Sequence, residues 1–380
     1  MSDPKKTAQQ PTYVTRPYLP PLDEFVESLR EIWDNRRLTN VGPFHERFEQ
    51  ALAEYLGVDH ISLFANGTLG LITALQTLCI SGEVITTPFS FVATTHALHW
   101  NGIIPVFCDV DPETFCLDPE KIEAAITQRT TAILPVHVYG TPCDVQRIGQ
   151  VADTYGLRVI YDAAHTFGVS AAGRSLADFG DLSVLSFHAT KVFTTFEGGA
   201  IVSHDERTWK RIYFLKNFGF ADEVTVVGPG INAKMSEFQA ALGLLQLKYV
   251  DQAIAKRREI ANFYRSGLAE IRGLVLPCEP ENVSTNCSYF PVLIEEARFG
   301  VSRDLVCAAL LRRGIRARRY FYPLISHFPP YRGLRSASPD NLPVAEEVSR
   351  QVLCLPIYPE LDLDDVNRIV ELIKCAKSHA

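Results

Sequence analysis

Seven short apolar runs punctuate the chain from His60 to about Asp205, separated by stretches long enough for helices. They read HISLFAN from His60, EVITTP from Glu83, IPVFCDV from Ile104, TTAILPVHV from Thr130, RVIYDAA from Arg158, LSVLSFH from Leu182 and GGAIVSH from Gly198. Several are almost continuously apolar instead of alternating, the pattern of strands buried on both faces of a mainly parallel sheet. Between them, LGLITALQTLCI and DVQRIGQVADTYG carry helical spacing, and the second stops at Gly156, as a helix C-cap should. The expected class is α/β, with helices on both faces of a mainly parallel mixed sheet.

From about Asp251 the pattern changes. The stretch EFQAALGLLQLKYVDQAIAKRREIANFYRSGLAEI reads as long helix, followed by short strands, an Arg-rich segment and a last helix, LDDVNRIVELIKC. This divides the chain into an N-terminal arm (1–12), a large domain (13–250) and a smaller C-terminal α+β domain (251–380). The Pro-rich FPPYRGLRSASPDNLP reads as a surface loop within the small domain.

Composition narrows the partners. Of 380 residues 47% are hydrophobic and 21% charged, a globular balance, and the net charge is −7. That sign argues against a duplex-DNA binder. No apolar run nears the ~18 residues of a membrane helix, and the polar start MSDPKKTAQQPT lacks a secretory apolar core, so the expected setting is cytoplasmic. Nine cysteines are scattered without a C-x-x-C pair, which reads as small buried hydrophobes, with no metal expected.

In open α/β sheets ligands gather beyond the carboxyl ends of the strands, so residues there are candidates for chemistry. Asp162 closes RVIYD, where a carboxylate needs a cation or donors, or caps the following turn. Lys191 follows LSVLSFHAT in an apolar setting that favours a nucleophilic amine, the alternative being a lysine that snorkels to solvent. Gly67 and Thr68 open a helix, where free N–H groups suit a phosphate or make an ordinary N-cap. Ser186 lies five positions before Lys191. One cofactor uses them together. Pyridoxal 5′-phosphate (PLP) needs an amine, a carboxylate that keeps its pyridine nitrogen protonated, a phosphate cup and a flat ring partner. Lys191, Asp162, Gly67–Thr68 with Ser186, and Phe91 fill those places.

The chain resembles the DegT/DnrJ/StrS family of PLP-dependent nucleotide-sugar aminotransferases over nearly its whole length. The resemblance is carried by RRLTNVGPFHERFEQALAEYLG, LFANGTLGLITAL, PFSFVAT, ILPVHVYG, VIYDAAHTFG, SFHATKVFTTFEGGAIV and GPGINAKMSEFQAALGLLQL. It implies the aspartate-aminotransferase-type fold (fold type I) and a homodimer with shared active sites. It places the covalent cofactor link on Lys191, the pyridinium partner at Asp162, a contact on the ring-hydroxyl side at His165, the phosphate on Gly67, Thr68 and Ser186, and the ring against Phe91. It sends Asn232 into the neighbouring subunit's phosphate site. Arg319 and Tyr320, in RRGIRARRYFYPL, align with the substrate loop, although a solvated basic face reads equally well there.

SFHATKVFTTFEGGAI and the segment ending in GINAKMSEFQAALG look like the members that move the amino group of L-glutamate to the 4-keto carbon of dTDP-4-dehydro-6-deoxy-D-glucose. A 3-keto sugar acceptor is the alternative. Phe196 is a departure, because many members have Gly before the Glu-Gly-Gly. The sugar dehydratases of the family carry His where this chain has Lys191, and a non-catalytic sensor would have no need of the lysine, the acid and the cup together. A nicotinamide enzyme is disfavoured, because no strand is followed by G-x-G-x-x-G.

Overall fold

The computed structural model describes residues 11–276 and 280–378. Each of the seven apolar runs forms a strand of one sheet: β1 (His60–Phe64), β2 (Glu83–Thr86), β3 (Ile104–Phe107), β4 (Thr130–Leu134), β5 (Arg158–Asp162), β6 (Leu182–Ser186) and β7 (Gly199–Ser203). The order is β1-β7-β6-β5-β4-β2-β3, and only β7 runs antiparallel to its neighbours. Successive residues of one strand enter different cores. Leu63, Leu185 and Val202 pack on one face, and Phe64, Val184 and Ile201 on the other. Burial on both faces is why these runs show so little polar alternation.

The helices that matter for the site are α1 (Leu22–Asn35), α2 (Pro43–Leu56), α3 (Gly67–Thr77) and α4 (Ala93–Trp100), followed later by α5 (Glu206–Leu215), α6 (Glu237–Leu247) and α7 (Val250–Leu268). The stretch read as one long helix is therefore two. At the junction Lys248 and Tyr249 donate to residues three back, Leu245 and Gln246, in a tightened last turn. The break lets α6 pack in the core under the sheet, while α7 from Ile260 onward joins the C-terminal core.

The C-terminal part is α+β, as the pattern implied. Phe290–Ile294 pairs antiparallel with Leu274–Val275 and with Val352–Leu355. Two features do not follow the expected boundaries. Thr12–Tyr13 pairs in parallel with Ile315–Arg316, and Ile357 N–H donates to Val14 O at 3.0 Å, so this N-terminal strand belongs to the C-terminal part. Residues 1–10 of the expected arm lie outside the described residues.

The Pro-rich stretch is also more than a surface loop. Tyr331, Ala337 and Leu342 are buried, the Tyr331 hydroxyl meets His96 Nδ1 at 2.5 Å, and Ser336 Oγ accepts from Phe107 N–H at 3.1 Å. It covers the free edge of β3, protecting backbone groups that would otherwise be open to pairing. No helix among the described residues is long and apolar enough to cross a membrane.

Candidate active site

A cavity of about 290 Å³ opens at the carboxyl ends of β1, β5 and β6, and its lining includes Lys191, Asp162, His165, Ser186, Gly67 and Thr68. The topology explains the meeting. β5 and β6 are parallel neighbours with Asp162 in register with Val184, so Asp162 and Ser186, two residues on, end at the same edge of the sheet. β7 returns antiparallel between β6 and β1, which brings the start of α3 to the same edge.

Asp162 is buried, and its backbone is fixed by bonds to Pro135 and His137. Its Oδ2 accepts from Thr94 Oγ1 at 2.7 Å, and its Oδ1 from Ala164 N–H at 3.1 Å. The turn-capping contact is present, and the same carboxylate also lines the cavity. Burial pushes its pKa above the ordinary carboxyl value, against the opposing pull of Thr94, the Ala164 N–H and Lys191. A cation beside it would relieve that cost.

Lys191 sits in the turn after β6, its N–H bonded to His188 O at 2.9 Å, and its ammonium lies 6.0 Å from the centre of the Tyr289 ring. Burial lowers its pKa to about 8, with Asp162 acting in the opposite direction. His165 is held neutral. Burial and, secondarily, the Lys191 charge press its pKa well below the usual value. Its Nδ1 accepts from Tyr139 N–H at 3.1 Å, which leaves the proton on Nε2, 3.4 Å from the Tyr289 hydroxyl. Phe321 stacks on the imidazole, with centroids 6.1 Å apart and planes within 9°.

At the phosphate end, Asn66 Oδ1 caps α3 by accepting from Leu69 N–H at 2.9 Å. The N–H groups of Gly67 and Thr68, in the first turn, have no acceptor within the helix. Gly67 is required by space. A Cβ there would stand 2.9 Å from Ser186 Cβ, and one on Gly199 would stand 2.7 Å from Gly67 N. Three chain segments cross at this point, and Gly67, Thr68 and Ser186 line the cavity there. Phe91 also lines the cavity but is 61% exposed.

The structure does not bring every candidate to this place. Asn232 is exposed, bridges to Asn217 and is absent from the lining. Arg319 points away: its Nη1 donates to Asp304 Oδ1 at 3.0 Å, and its guanidinium lies over Tyr322. Tyr320, the other candidate of that segment, does line the cavity, and Arg318 lines it in place of Arg319, because alternate residues of an extended segment face opposite ways. Reasoning from the sequence also missed Thr94 and Tyr289. Thr94 stands three residues after Phe91, in the first turn of α4, so it was within reach of a spacing argument. Tyr289 arrives from the C-terminal part with no local signal. Phe196 adopts φ +66°, a left-handed conformation that favours glycine, and its ring stacks on Phe238 at 5.0 Å beside Phe25.

An amine of lowered pKa, a buried acid that a cation would relieve, and a cup of free N–H groups together fit PLP, with Lys191, Asp162 and the start of α3 as the groups that would hold it. They define a PLP-dependent enzyme of the lysine-linked class. The family comparison narrows this: the DegT/DnrJ/EryC1/StrS aminotransferase family model matches residues 22–374, and the chain belongs to that family of PLP-dependent aminotransferases. It is 52% identical over 363 residues to the dTDP-4-amino-4,6-dideoxy-D-glucose transaminase of Escherichia coli, covering 95% of this chain and 97% of that one. The crystal structure of DesI in the presence of its TDP-sugar product superposes with a TM-score of 0.93 at 39% identity, covering 98% and 94% of the two chains. NtdA from Bacillus subtilis, solved with bound cofactor PMP, matches with a TM-score of 0.84 at 31% identity, covering 94% and 82%.

The lowered pKa of Lys191 has a kinetic consequence. Only the neutral amine attacks the cofactor aldehyde, so capture of PLP by the apoprotein will slow about tenfold per pH unit below about 8 and level off above it. Rapid mixing across pH 6 to 9.5, followed by absorbance, reads this directly. A rate that is flat below pH 8, or one still climbing steeply past pH 9, contradicts the assignment of an activated lysine.

Proposed function

We propose that the chain transfers the amino group of L-glutamate to the 4-keto carbon of dTDP-4-dehydro-6-deoxy-D-glucose, giving dTDP-4-amino-4,6-dideoxy-D-glucose. The observation that carries this reading is Lys191 and Asp162 in one cavity, in a chain that shares half its residues with a transaminase of that product over nearly the full length of both. The bound cofactor supplies an electron sink and carries the amino group between the two substrates. The rest is the work of this chain's side chains.

Asp162, negatively charged, would hold a proton on the ring nitrogen and so keep the sink effective. Thr94 and the Ala164 N–H hold the carboxylate in place for that task. Lys191 would hold the cofactor and would move a proton at the amino-bearing carbon, its lowered pKa suiting an acid/base near neutrality. The neutral imidazole of His165 would face the ring-hydroxyl side and offer Nε2–H to it. Gly67, Thr68 and Ser186 would bind the phosphate, and Phe91 would flank the ring. Arg318 and Tyr320 stand in the lining and would meet the substrates there.

The active unit in this reading is a homodimer. Asn232 lies outside its own chain's cavity, on a loop whose apolar Phe218, Val224, Val226 and Val227 are exposed. A second copy covers those side chains and receives Asn232 at its phosphate cup.

The substrate is tested by incubating the enzyme with glutamate and a panel of 4-keto and 3-keto sugars on dTDP and UDP, with products identified by mass spectrometry and NMR. The expected result is turnover of dTDP-4-dehydro-6-deoxy-D-glucose to the gluco 4-amino sugar. Turnover of a 3-keto isomer alone refutes the substrate and leaves the aminotransferase standing.

A further inference from the structure

Lys216 is absent from the cavity lining, yet it is only 1% exposed. A buried ammonium is costly, and an apolar side chain would fill the same space at less cost, so its contacts should show what it is for. It follows α5, and its Nζ reaches Leu63 O at 3.2 Å and Glu49 Oε2 at 3.6 Å, between the rings of Phe64 and Tyr213. Glu49 Oε2 in turn accepts from Leu63 N–H at 3.2 Å.

Leu63 lies in β1, which is an edge strand with β7 on one side only. On the open side, Glu49 takes the N–H of Leu63 and Lys216 takes its carbonyl, so an ion pair does the work of a missing strand. The same edge is closed further along by Trp209, whose indole N–H donates to Ile61 O at 2.9 Å, and by Ala233, whose carbonyl accepts from Ala65 N–H at 2.8 Å. Ala233 N–H also donates to the main-chain carbonyl of Lys216 at 3.0 Å. Lys216 therefore joins the root of the 217–232 loop to the end of β1, three residues before Asn66, Gly67 and Thr68.

We infer that Lys216 is a positioning residue for the phosphate cup, and that through it the cup and the loop root move as one unit. The inference rests on the reading of Gly67 and Thr68 as phosphate ligands. Its energetic logic is that free N–H groups bind an anion well only when held in place beforehand, and an edge strand losing a charged hydrogen bond loses that hold.

The test is a PLP titration of the apoprotein followed by absorbance. Lys216→Met, matched in length and without charge, should weaken PLP binding roughly tenfold, with kcat at saturating cofactor within about twofold of wild type. Hydrogen exchange should rise together in residues 62–68 and 217–233. Trp209→Phe is the control. It removes the bond to Ile61, farther from the cup, and should lower the melting temperature while leaving PLP affinity unchanged. An unchanged Kd for Lys216→Met, or an equal loss from Trp209→Phe, overturns the inference. Should Lys216→Met fail to fold, Glu49→Ala decides: weakened PLP binding supports the inference, and an unchanged Kd refutes it. A wild-type protein that takes up no PLP refutes the cofactor reading instead, an outcome distinct from these.

Discussion

Lys191→Ala will bind PLP without a covalent link and will lose turnover by roughly ten-thousandfold or more, because one substitution removes both the attachment point and the proton carrier. The fold will survive. Lys191 is partly exposed at the cavity, its backbone bond to His188 O does not depend on the side chain, and removing a cation whose pKa burial has lowered relieves a cost. Far-ultraviolet circular dichroism and melting temperature check the fold, and single-turnover kinetics the loss. The same variant tests the shared site. Co-expressed with Asn232→Trp, whose bulky ring blocks the partner's cup, it gives hybrids in which one site carries both lesions and the other neither. Activity should return. If Asn232 served its own chain, both sites of every hybrid would be damaged and the mixture would stay dead.

Asp162→Asn keeps the size of the side chain and removes its charge. The ring nitrogen then loses the anion that keeps it protonated, and the rate should fall at least about a hundredfold, close to 2.7 kcal/mol of lost transition-state stabilisation. PLP affinity should fall much less, since the phosphate cup and Lys191 remain. Stability should move the other way in the apoprotein. Burial raises the folded-state pKa of Asp162 above its ordinary value, so at pH 7 the charged carboxylate disfavours the folded state, and its cost disappears only as pH falls below the unfolded value. The Asn apoprotein should therefore melt no lower than wild type at neutral pH. Near-normal turnover would reduce Asp162 to the turn cap that its bond to Ala164 already makes it.

Much of this was legible in the chain, for a physical reason. Strands buried on both faces leave long apolar signatures, and residues that end such strands must face the one wet edge of the sheet, so Asp162, Ser186 and Lys191 could be placed before any coordinates. What escaped notice depends on distant partners. Tyr289 and Phe321 reach the cavity from the C-terminal part, and the choice between Arg318 and Arg319 turns on which way an extended segment faces. The Pro-rich stretch looks like a loop because its regular structure is only short turns, yet Tyr331 and Leu342 bury it against the β3 edge. The break at Lys248–Tyr249 falls in unbroken helical sequence and follows from α6 and α7 serving two cores. Lys216 was invisible, because a lysine after a helix normally marks solvent.

The central claim is that the cofactor is held on Lys191 in an aminotransferase cavity. Sodium borohydride fixes such a link as a secondary amine, and peptide mapping by mass spectrometry then finds the lysine that carries it. Reduction should label one site, Lys191, with the label lost when L-glutamate is added beforehand. A label on another lysine, or one that glutamate fails to remove, contradicts it.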